Sequence, residues 1–425
     1  MDTKSLYEFF LKHPKVSTDS RTIPENGIFF ALKGPNFNGN EFAIEALSRG
    51  AALAVVDEGD FPDEPRCIRV PDALAALQQL AMHHRLQCKA RIIGLTGSNG
   101  KTTTKELIAA VLSKKYRTLA TRGNLNNHIG VPLTLLRIAP ETELAIVEMG
   151  ANHQGEIRLL SEMAQPDFGY ITNFGKAHLE GFGGVEGVIR GKSELYENLM
   201  ERGATIFMNA DDPVQFEKLA GYANCVGFST RNPAYMQIKN LTDGPAVRLQ
   251  VDDVVVQTQL TGRYNFSNCA VSACIGKHFG VPAEAIAEAL ESYIPANNRS
   301  QLIERGNLRI LLDAYNANPT SMAAALENLA EMDGPRKIAI LGDMFELGAE
   351  AAAEHEAIGR FALSKNPEKL YLVGQHFYDT ALPAARFPDF AALSRELKAN
   401  PLTGPATILI KGSRGMALER VLEFL

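Results

Sequence analysis

The chain has 425 residues, of which 45% are hydrophobic and 22% charged, and its formal net charge is −6. That length predicts two to four domains of ordinary globular composition, and the weakly acidic balance excludes a general nucleic-acid surface. Five cysteines, at 67, 88, 225, 269 and 274, form no Cys-x-x-Cys pair, which predicts reduced thiols. No apolar leader and no run of eighteen apolar residues occurs, so the sequence predicts a cytoplasmic protein without membrane insertion, by default a monomer.

Residues 1–88 read as a small α/β unit. Apolar runs at 28–32 and 52–56 are strand-like, helical periodicity over 41–49 ends at Gly50, and 73–86 is a second helix. From Arg91 onward, short apolar runs alternate with helical patterns: strands at 144–147, 168–172 and 204–208, helices at 156–164 and 185–201. This alternation predicts a mainly parallel sheet covered by helices. Residues 246–260 read instead as a β-hairpin around Asp252-Asp253, followed by helices over 264–279 and 282–292. Residues 293–299 read as an interdomain linker. Beyond them, apolar runs at 308–312, 337–341, 369–373 and 407–410 set the rhythm of a doubly wound α/β domain, in which ligands meet the carboxyl ends of strands. The expected domains are therefore 1–88, 89–298 and 299–425.

The segment Ile92-Ile93-Gly94-Leu95-Thr96-Gly97-Ser98-Asn99-Gly100-Lys101-Thr102-Thr103-Thr104 reads as a buried strand, a glycine loop and a helix start. Backbone N–H groups and a helix N-terminus in that order surround a polyphosphate. Lys101 is placed to reach the outer phosphates and Thr102 to face a magnesium ion. The general P-loop pattern wants glycine where Leu95 stands, so the match is to a shorter form. Glu148 sits at one strand end, and Asn173 and His178 follow the next. Magnesium prefers oxygen ligands, so a histidine by itself points weakly to a metal. The amide-rich turn Gly123-Asn124-Leu125-Asn126-Asn127 is suited to phosphate or sugar oxygens. Lys192, by spacing alone, reads as a surface lysine. In the last domain, Asp313, the loop 342–348 and the loop Lys411-Gly412-Ser413-Arg414-Gly415 all follow strands.

Taken in order, Thr96 to Thr104, Glu148-Met149-Gly150-Ala151-Asn152-His153, Asn298-Arg299-Ser300-Gln301, Asp313-Ala314-Tyr315-Asn316-Ala317-Asn318-Pro319 and Gly342-Asp343-Met344-Phe345-Glu346-Leu347-Gly348 resemble the Mur ligase family over nearly the whole chain. Gly123-Asn124-Leu125-Asn126-Asn127 and the Asp313 segment look like the branch that joins D-alanyl-D-alanine to a UDP-N-acetylmuramoyl tripeptide. The Asp-Asn-Pro-Arg motif of the branch that adds the third residue is not found. The resemblance implies three domains: a small UDP-sugar-binding α/β unit, a central P-loop ATPase-like domain and a Rossmann-like C-terminal domain. It implies ATP-dependent amide synthesis through an acyl phosphate, with two magnesium ions. Gly97, Ser98, Asn99, Gly100, Lys101, Thr102 and Thr103 would then cradle ATP, with Asn268 and Arg299 on the nucleotide and Asp313 on its ribose. Thr102 and Glu148 would hold one magnesium and His178 would place the second. Lys192 matches a position that the family carbamylates, which makes it a metal partner and, with Lys101 and His178, part of the catalytic set. Ser20, Arg21 and Asn38 would face the uridine diphosphate. Asn126, Asn127 and Asn316 look like active-site amides, and Lys411, Ser413 and Arg414 are placed to receive the dipeptide. A folylpolyglutamate synthase on the same ATP core, or a nucleotide-binding regulator without ligase chemistry, are the competing readings. The UDP-sugar-like N-terminal segment argues against the first, and the joint presence of Lys101, Glu148, His178 and Lys192 against the second.

Overall fold

Alternating buried strands and amphipathic helices build three mainly parallel sheets in chain order. The computed structural model describes residues 2–295 and 298–425. The linker expected at 293–299 therefore falls partly on residues 296 and 297, outside the described residues.

The first sheet is parallel throughout, in the order Val16–Ser17, Ile28–Phe30, Leu53–Val56, Cys67–Arg69. Its two middle strands are buried along their whole length, as expected where both faces of a parallel sheet are covered. Among the described residues the second sheet has nine strands, with Arg91–Thr96 third from one edge, between Phe168–Ile171 and Leu144–Glu148. The chain leaves this strand for one side of the sheet and later returns to the other. The carboxyl end of Arg91–Thr96 is therefore a topological switch point, where open α/β sheets bind ligands. The hairpin Ala246–Val251 and Val254–Thr261 is antiparallel, extending the far edge through Met236–Asn240. The third sheet places Ala406–Lys411 between Leu308–Asp313 and Lys337–Gly342, all parallel. Its antiparallel edge strand Gln301–Arg305 pairs with Leu308–Asp313.

The strands that carried no apolar signal share one property. Thr118–Ala120, Met236–Asn240, Gln301–Arg305 and Ala385–Phe387 are mostly half-buried or exposed. Such strands need no hydrophobic run, only a neighbour with which to pair. Among the described residues no helix is long and apolar enough to cross a membrane.

The helix Ala73–Gln87 joins the first sheet to the second. Its buried Arg85 donates from Nε to the Ala164 carbonyl at 2.9 Å, and from its two terminal nitrogens to the carbonyls of Ala90 at 3.2 Å and Gln165 at 3.0 Å. It also meets the Asp167 carboxylate at 3.0 Å, and the same carboxylate oxygen accepts from Ile92 N at 2.7 Å. One side chain thus satisfies carbonyls at and just beyond the end of the helix Glu156–Ala164 while fixing the strand that leads to the glycine loop. Arg85→Leu strands these carbonyls and removes a partner from a partly exposed carboxylate, a loss of about 1–3 kcal/mol. Calorimetry is expected to show the lowest thermal transition shifted down by several degrees; an unchanged thermogram would contradict this account of the joint.

Candidate active site at the seam of two domains

The glycine loop is shaped by close approach. Gly97 has φ +142°, and a Cβ there would lie 1.9 Å from Thr172 Oγ1. Gly100 has φ +78° and presses against Asn268, which a Cβ would meet at 2.8 Å. Thr172 and Asn173 fasten the loop from the next strand end. Thr172 Oγ1 donates to Asn99 O at 2.6 Å, Asn173 Nδ2 donates to the same carbonyl at 3.0 Å, and Asn99 N donates to Asn173 Oδ1 at 3.1 Å. Gly100 caps the helix Lys101–Leu112 without a side chain. The first N–H groups of that helix therefore have no partner within it and face the cleft, together with the positive end of the helix dipole.

Sheet register sets the second wall. Leu95 pairs with Glu148, and Thr96 with Ile171, so Glu148 stands level with the start of the loop. Glu148 is 1% exposed. Its Oε1 accepts from Thr102 Oγ1 at 3.2 Å and Asn126 Nδ2 at 2.8 Å, while its Oε2 has no hydrogen-bond partner. A buried carboxylate oxygen left open beside a threonine hydroxyl fits a hard cation. Among the described residues no group of three or more His, Cys, Asp or Glu side chains is gathered for a metal. A magnesium ion at Thr102 and Glu148 would thus be completed by phosphate oxygens and water, as this cation favours.

The C-terminal domain closes the cleft. Asp313 pairs in register with Lys411. Lys411 Nζ lies 2.6 Å from Asp313 Oδ2 and is 2% exposed, so its charge is engaged by Asp313. Asp313 Oδ1 accepts from Ser300 N at 3.1 Å. The Arg299 guanidinium stacks 3.6 Å above the Tyr315 ring. The resulting cleft has a volume of about 570 Å³ and is lined from both domains.

The cleft gathers most of the residues expected from sequence: Ser98 to Thr103, Asn126, Asn127, Glu148, His178 and Asn268 on one side, and Arg299, Asp313, Asn316 and Lys411 on the other. Asn127 also has a local task, its Oδ1 accepting from Ile129 N and Gly130 N at the head of a helix. Gly97 lies beneath the lining. Lys192 lies behind it, fully buried, donating to Ala151 O at 3.0 Å with Nζ 4.9 Å from the Phe182 ring centre. Ser413 and Arg414 stand apart. Ser413 Oγ accepts from Phe345 N at 2.9 Å, and Arg414 pairs with Glu419 at 2.8 Å. Ser20, Arg21 and Asn38 belong to the first domain. Arg21 is exposed and forked onto Asp19. Ser20 is buried, with its carbonyl accepting from Arg49 at 3.1 Å. Asn38 borders a shallow depression with Lys33, Phe37 and Phe42, its Nδ2 donating to Glu58 at 3.0 Å.

Three residues were given no role by the sequence reading. Lys105 is 2% exposed, with Nζ 3.7 Å from Glu148 Oε2. Its signal was the i, i+4 spacing from Lys101, which puts both amines on one helix face. Asn318 donates from Nδ2 to Asn99 Oδ1 at 2.7 Å, a bond between domains. Glu346 accepts from His178 Nδ1, again between domains.

Two buried amines are pushed toward neutrality. Lys101 keeps some exposure to the cleft, but the protein crowded around it lowers its amine to about 8. Glu148 opposes that shift and Arg299 adds to it. At rest Lys101 Nζ donates to the carbonyls of Gly97 at 2.6 Å and Ser98 at 3.2 Å. Burial drives the Lys192 amine well below its ordinary value, reinforced by Lys101 and opposed by Glu156 and Glu194.

Comparison with known proteins places these features in context. The Mur ligase middle domain matches residues 95–276, and the Mur ligase, glutamate ligase domain matches residues 298–414. The chain is 39% identical to UDP-N-acetylmuramoyl-tripeptide–D-alanyl-D-alanine ligase of Escherichia coli K12, covering 96% of this chain and 93% of that one. Identity to the Bacillus subtilis enzyme of the same name is 34%, over 96% and 92%. A crystal structure of MurF from Acinetobacter baumannii superposes with a TM-score of 0.85 at 32% identity, over 96% and 92%. MurF ligase from Thermotoga maritima in complex with ADP gives 0.84 at 27% identity, over 96% of each chain.

The lowered Lys101 amine has a measurable consequence. Its ammonium is the form that pairs with phosphate oxygens, and that form is lost as pH rises through about 8. Affinity for a nucleoside diphosphate is therefore expected to fall by up to roughly tenfold per pH unit above that point, with a proton taken up on binding. Titration calorimetry in buffers of differing ionisation enthalpy reads both quantities. Affinity that stays flat well above that pH, with no proton uptake, would remove Lys101 from the phosphate site.

Proposed function

The chain belongs to the Mur ligase family, and from that premise we infer that it is an ATP-dependent ligase joining D-alanyl-D-alanine to UDP-N-acetylmuramoyl tripeptide in peptidoglycan precursor synthesis. The observation that carries this reading on the chain itself is the shared cleft. The glycine loop, Glu148 and His178 of the central domain face Arg299 and Asp313 of the C-terminal domain across one space.

The chemistry is the one the family implies, with this chain's residues in its roles. The terminal carboxylate of the tripeptide attacks the γ-phosphorus of ATP, and the bond from that phosphorus to the β–γ bridging oxygen breaks, giving an acyl phosphate and ADP. The amine of D-alanyl-D-alanine then attacks the acyl carbon, its nitrogen gives up a proton, and collapse of the tetrahedral intermediate breaks the bond from that carbon to the phosphate oxygen and expels phosphate. Lys101 and the helix N-terminus hold the phosphates and offset the charge that builds on them. Arg299 and Asn268 flank the nucleotide, and Asp313 accepts from its ribose. Magnesium, when bound at Thr102 and Glu148 and near His178, supplies charge neutralisation between the two anionic reactants. Residues 1–88 hold the UDP-muramoyl end, with Ser20, Arg21 and Asn38 toward the diphosphate. The loop after Lys411 borders the path of the incoming dipeptide. The protein acts in the cytoplasm as a monomer.

Lys192 has a distinct part in this reading. A neutral amine adds to CO2: the N–C bond forms, one carbonyl electron pair moves to oxygen, and the nitrogen releases a proton. The burial that lowers the Lys192 amine favours that neutral form. The carbamate carries the oxygen donors that an ammonium lacks and that magnesium requires.

In an assay with ATP, magnesium, UDP-N-acetylmuramoyl tripeptide and D-alanyl-D-alanine, phosphate release is expected only when both peptide substrates are present. Release that depends on folate and glutamate instead would replace this reading with that of a folylpolyglutamate synthase. Lys192→Ala is expected to abolish nearly all turnover, with no recovery on adding bicarbonate; activity like that of the unaltered protein would sink the carbamate.

A further inference from the structure

His178 meets the C-terminal domain at its ring. Nδ1 faces the Glu346 carboxylate, which comes from the loop after strand Lys337–Gly342, while His178 follows strand Phe168–Ile171 of the central sheet. An ionised carboxylate only accepts hydrogen bonds, so this contact puts a ring proton on Nδ1 and leaves Nε2 as the ring nitrogen available to other partners. His178 lines the cleft, whereas Glu346 stands outside its lining.

Both residues adopt a conformation that non-glycine residues avoid. His178 has φ +53° and Glu346 φ +62°. Two left-handed residues facing each other across a domain boundary are held there by their surroundings. On the C-terminal side those surroundings are specific. Met344 N donates to His355 Nε2 at 2.9 Å, Phe345 N to Ser413 Oγ at 2.9 Å, and Ser413 N to Asp343 O at 3.1 Å. Across the boundary, Glu180 N donates to Glu346 O at 3.2 Å.

We propose that Glu346 is a positioning residue for the ligase reaction: on domain closure it fixes the orientation and tautomer of His178, so that Nε2 is presented to the metal–phosphate site only when the C-terminal domain is in place. Metal-binding histidines commonly donate their second ring N–H to a carboxylate that sets ring orientation and basicity. Here that carboxylate belongs to a different domain, which couples closure to the competence of the site. The inference rests on the role given to His178 above.

The test uses the full-length protein with selectively 15N-labelled histidine, with ADP and magnesium bound. Glu346→Ala is expected to lower kcat by about 10–100-fold with KM for ATP little changed, and to move the His178 ring nitrogens from the Nδ1–H pattern toward a tautomer mixture. Glu346→Gln, whose amide carbonyl still accepts from Nδ1, is expected to restore the tautomer and part of the activity. If Gln and Ala variants lose activity equally while the His178 tautomer is unmoved, Glu346 is only an electrostatic latch between domains and the proposal fails. If Glu346→Ala has unaltered kcat and tautomer while His178→Gln is inactive, the proposal fails and the function stands. Full activity of His178→Gln would overturn the role of His178 itself, and this inference with it.

Discussion

The reaction requires two anions to touch, and the site is organised around that repulsion. Two unit charges 4 Å apart repel by about 4 kcal/mol at the effective dielectric of a protein surface, close to a thousandfold in population. A chain of net charge −6 offers no general field to offset this. In the proposed reaction the offset is local and fixed: Lys101 and the open helix N-terminus on one wall, and Arg299 stacked on Tyr315 on the other. Glu148, which by itself would add to the repulsion, is held between Thr102, Asn126 and the nearby Lys105. In the same reading its oxygen without a hydrogen-bond partner would give a cation a place next to the phosphates.

These groups come from two sheets whose strands end at a common seam. The central sheet delivers the glycine loop, Glu148 and His178 from three adjacent strands, and the C-terminal sheet delivers Asp313 and Lys411 from two. The seam is closed by polar contacts: Asn318 to Asn99 at 2.7 Å, Lys176 N to Thr320 Oγ1 at 3.0 Å, and Lys176 Nζ to Glu354 at 2.5 Å. Part-buried and exposed hydrogen bonds of this kind contribute about 0.5–1.5 kcal/mol each, which is compatible with the domain closure proposed above. The first domain is fastened differently. Arg85 reaches four backbone or carboxylate acceptors around the start of the central sheet, a more permanent attachment.

Much of this was legible in the residues themselves. The strand–loop–helix at 91–112, the helix 185–201 and the hairpin after Ala246 follow from periodicity and glycine placement, because buried parallel strands must be apolar and a phosphate loop must lack side chains. Lys192 was not legible. Its neighbours Arg190 and Glu194 suggest a solvated helix face, whereas the helix Val185–Glu201 turns Gly191, Lys192 and Ser193 inward. Only the family resemblance pointed to it. Ser413 and Arg414 read as cations and hydroxyls awaiting a ligand, yet Ser413 is used by Phe345 N and Arg414 by Glu419. Glu346 and Asn318 act across a domain boundary, and no local pattern reports a contact between residues some hundred and sixty or more positions apart.

In the proposed reaction the cleft transfers the γ-phosphoryl group of ATP to the substrate carboxylate. Synthesis with tripeptide carrying 18O in its terminal carboxylate tests this directly, by mass spectrometry of the phosphate released. Carboxylate activation predicts one 18O atom transferred to each phosphate from a fully labelled carboxylate. Phosphate free of 18O, formed alongside the ligated product, would contradict the account.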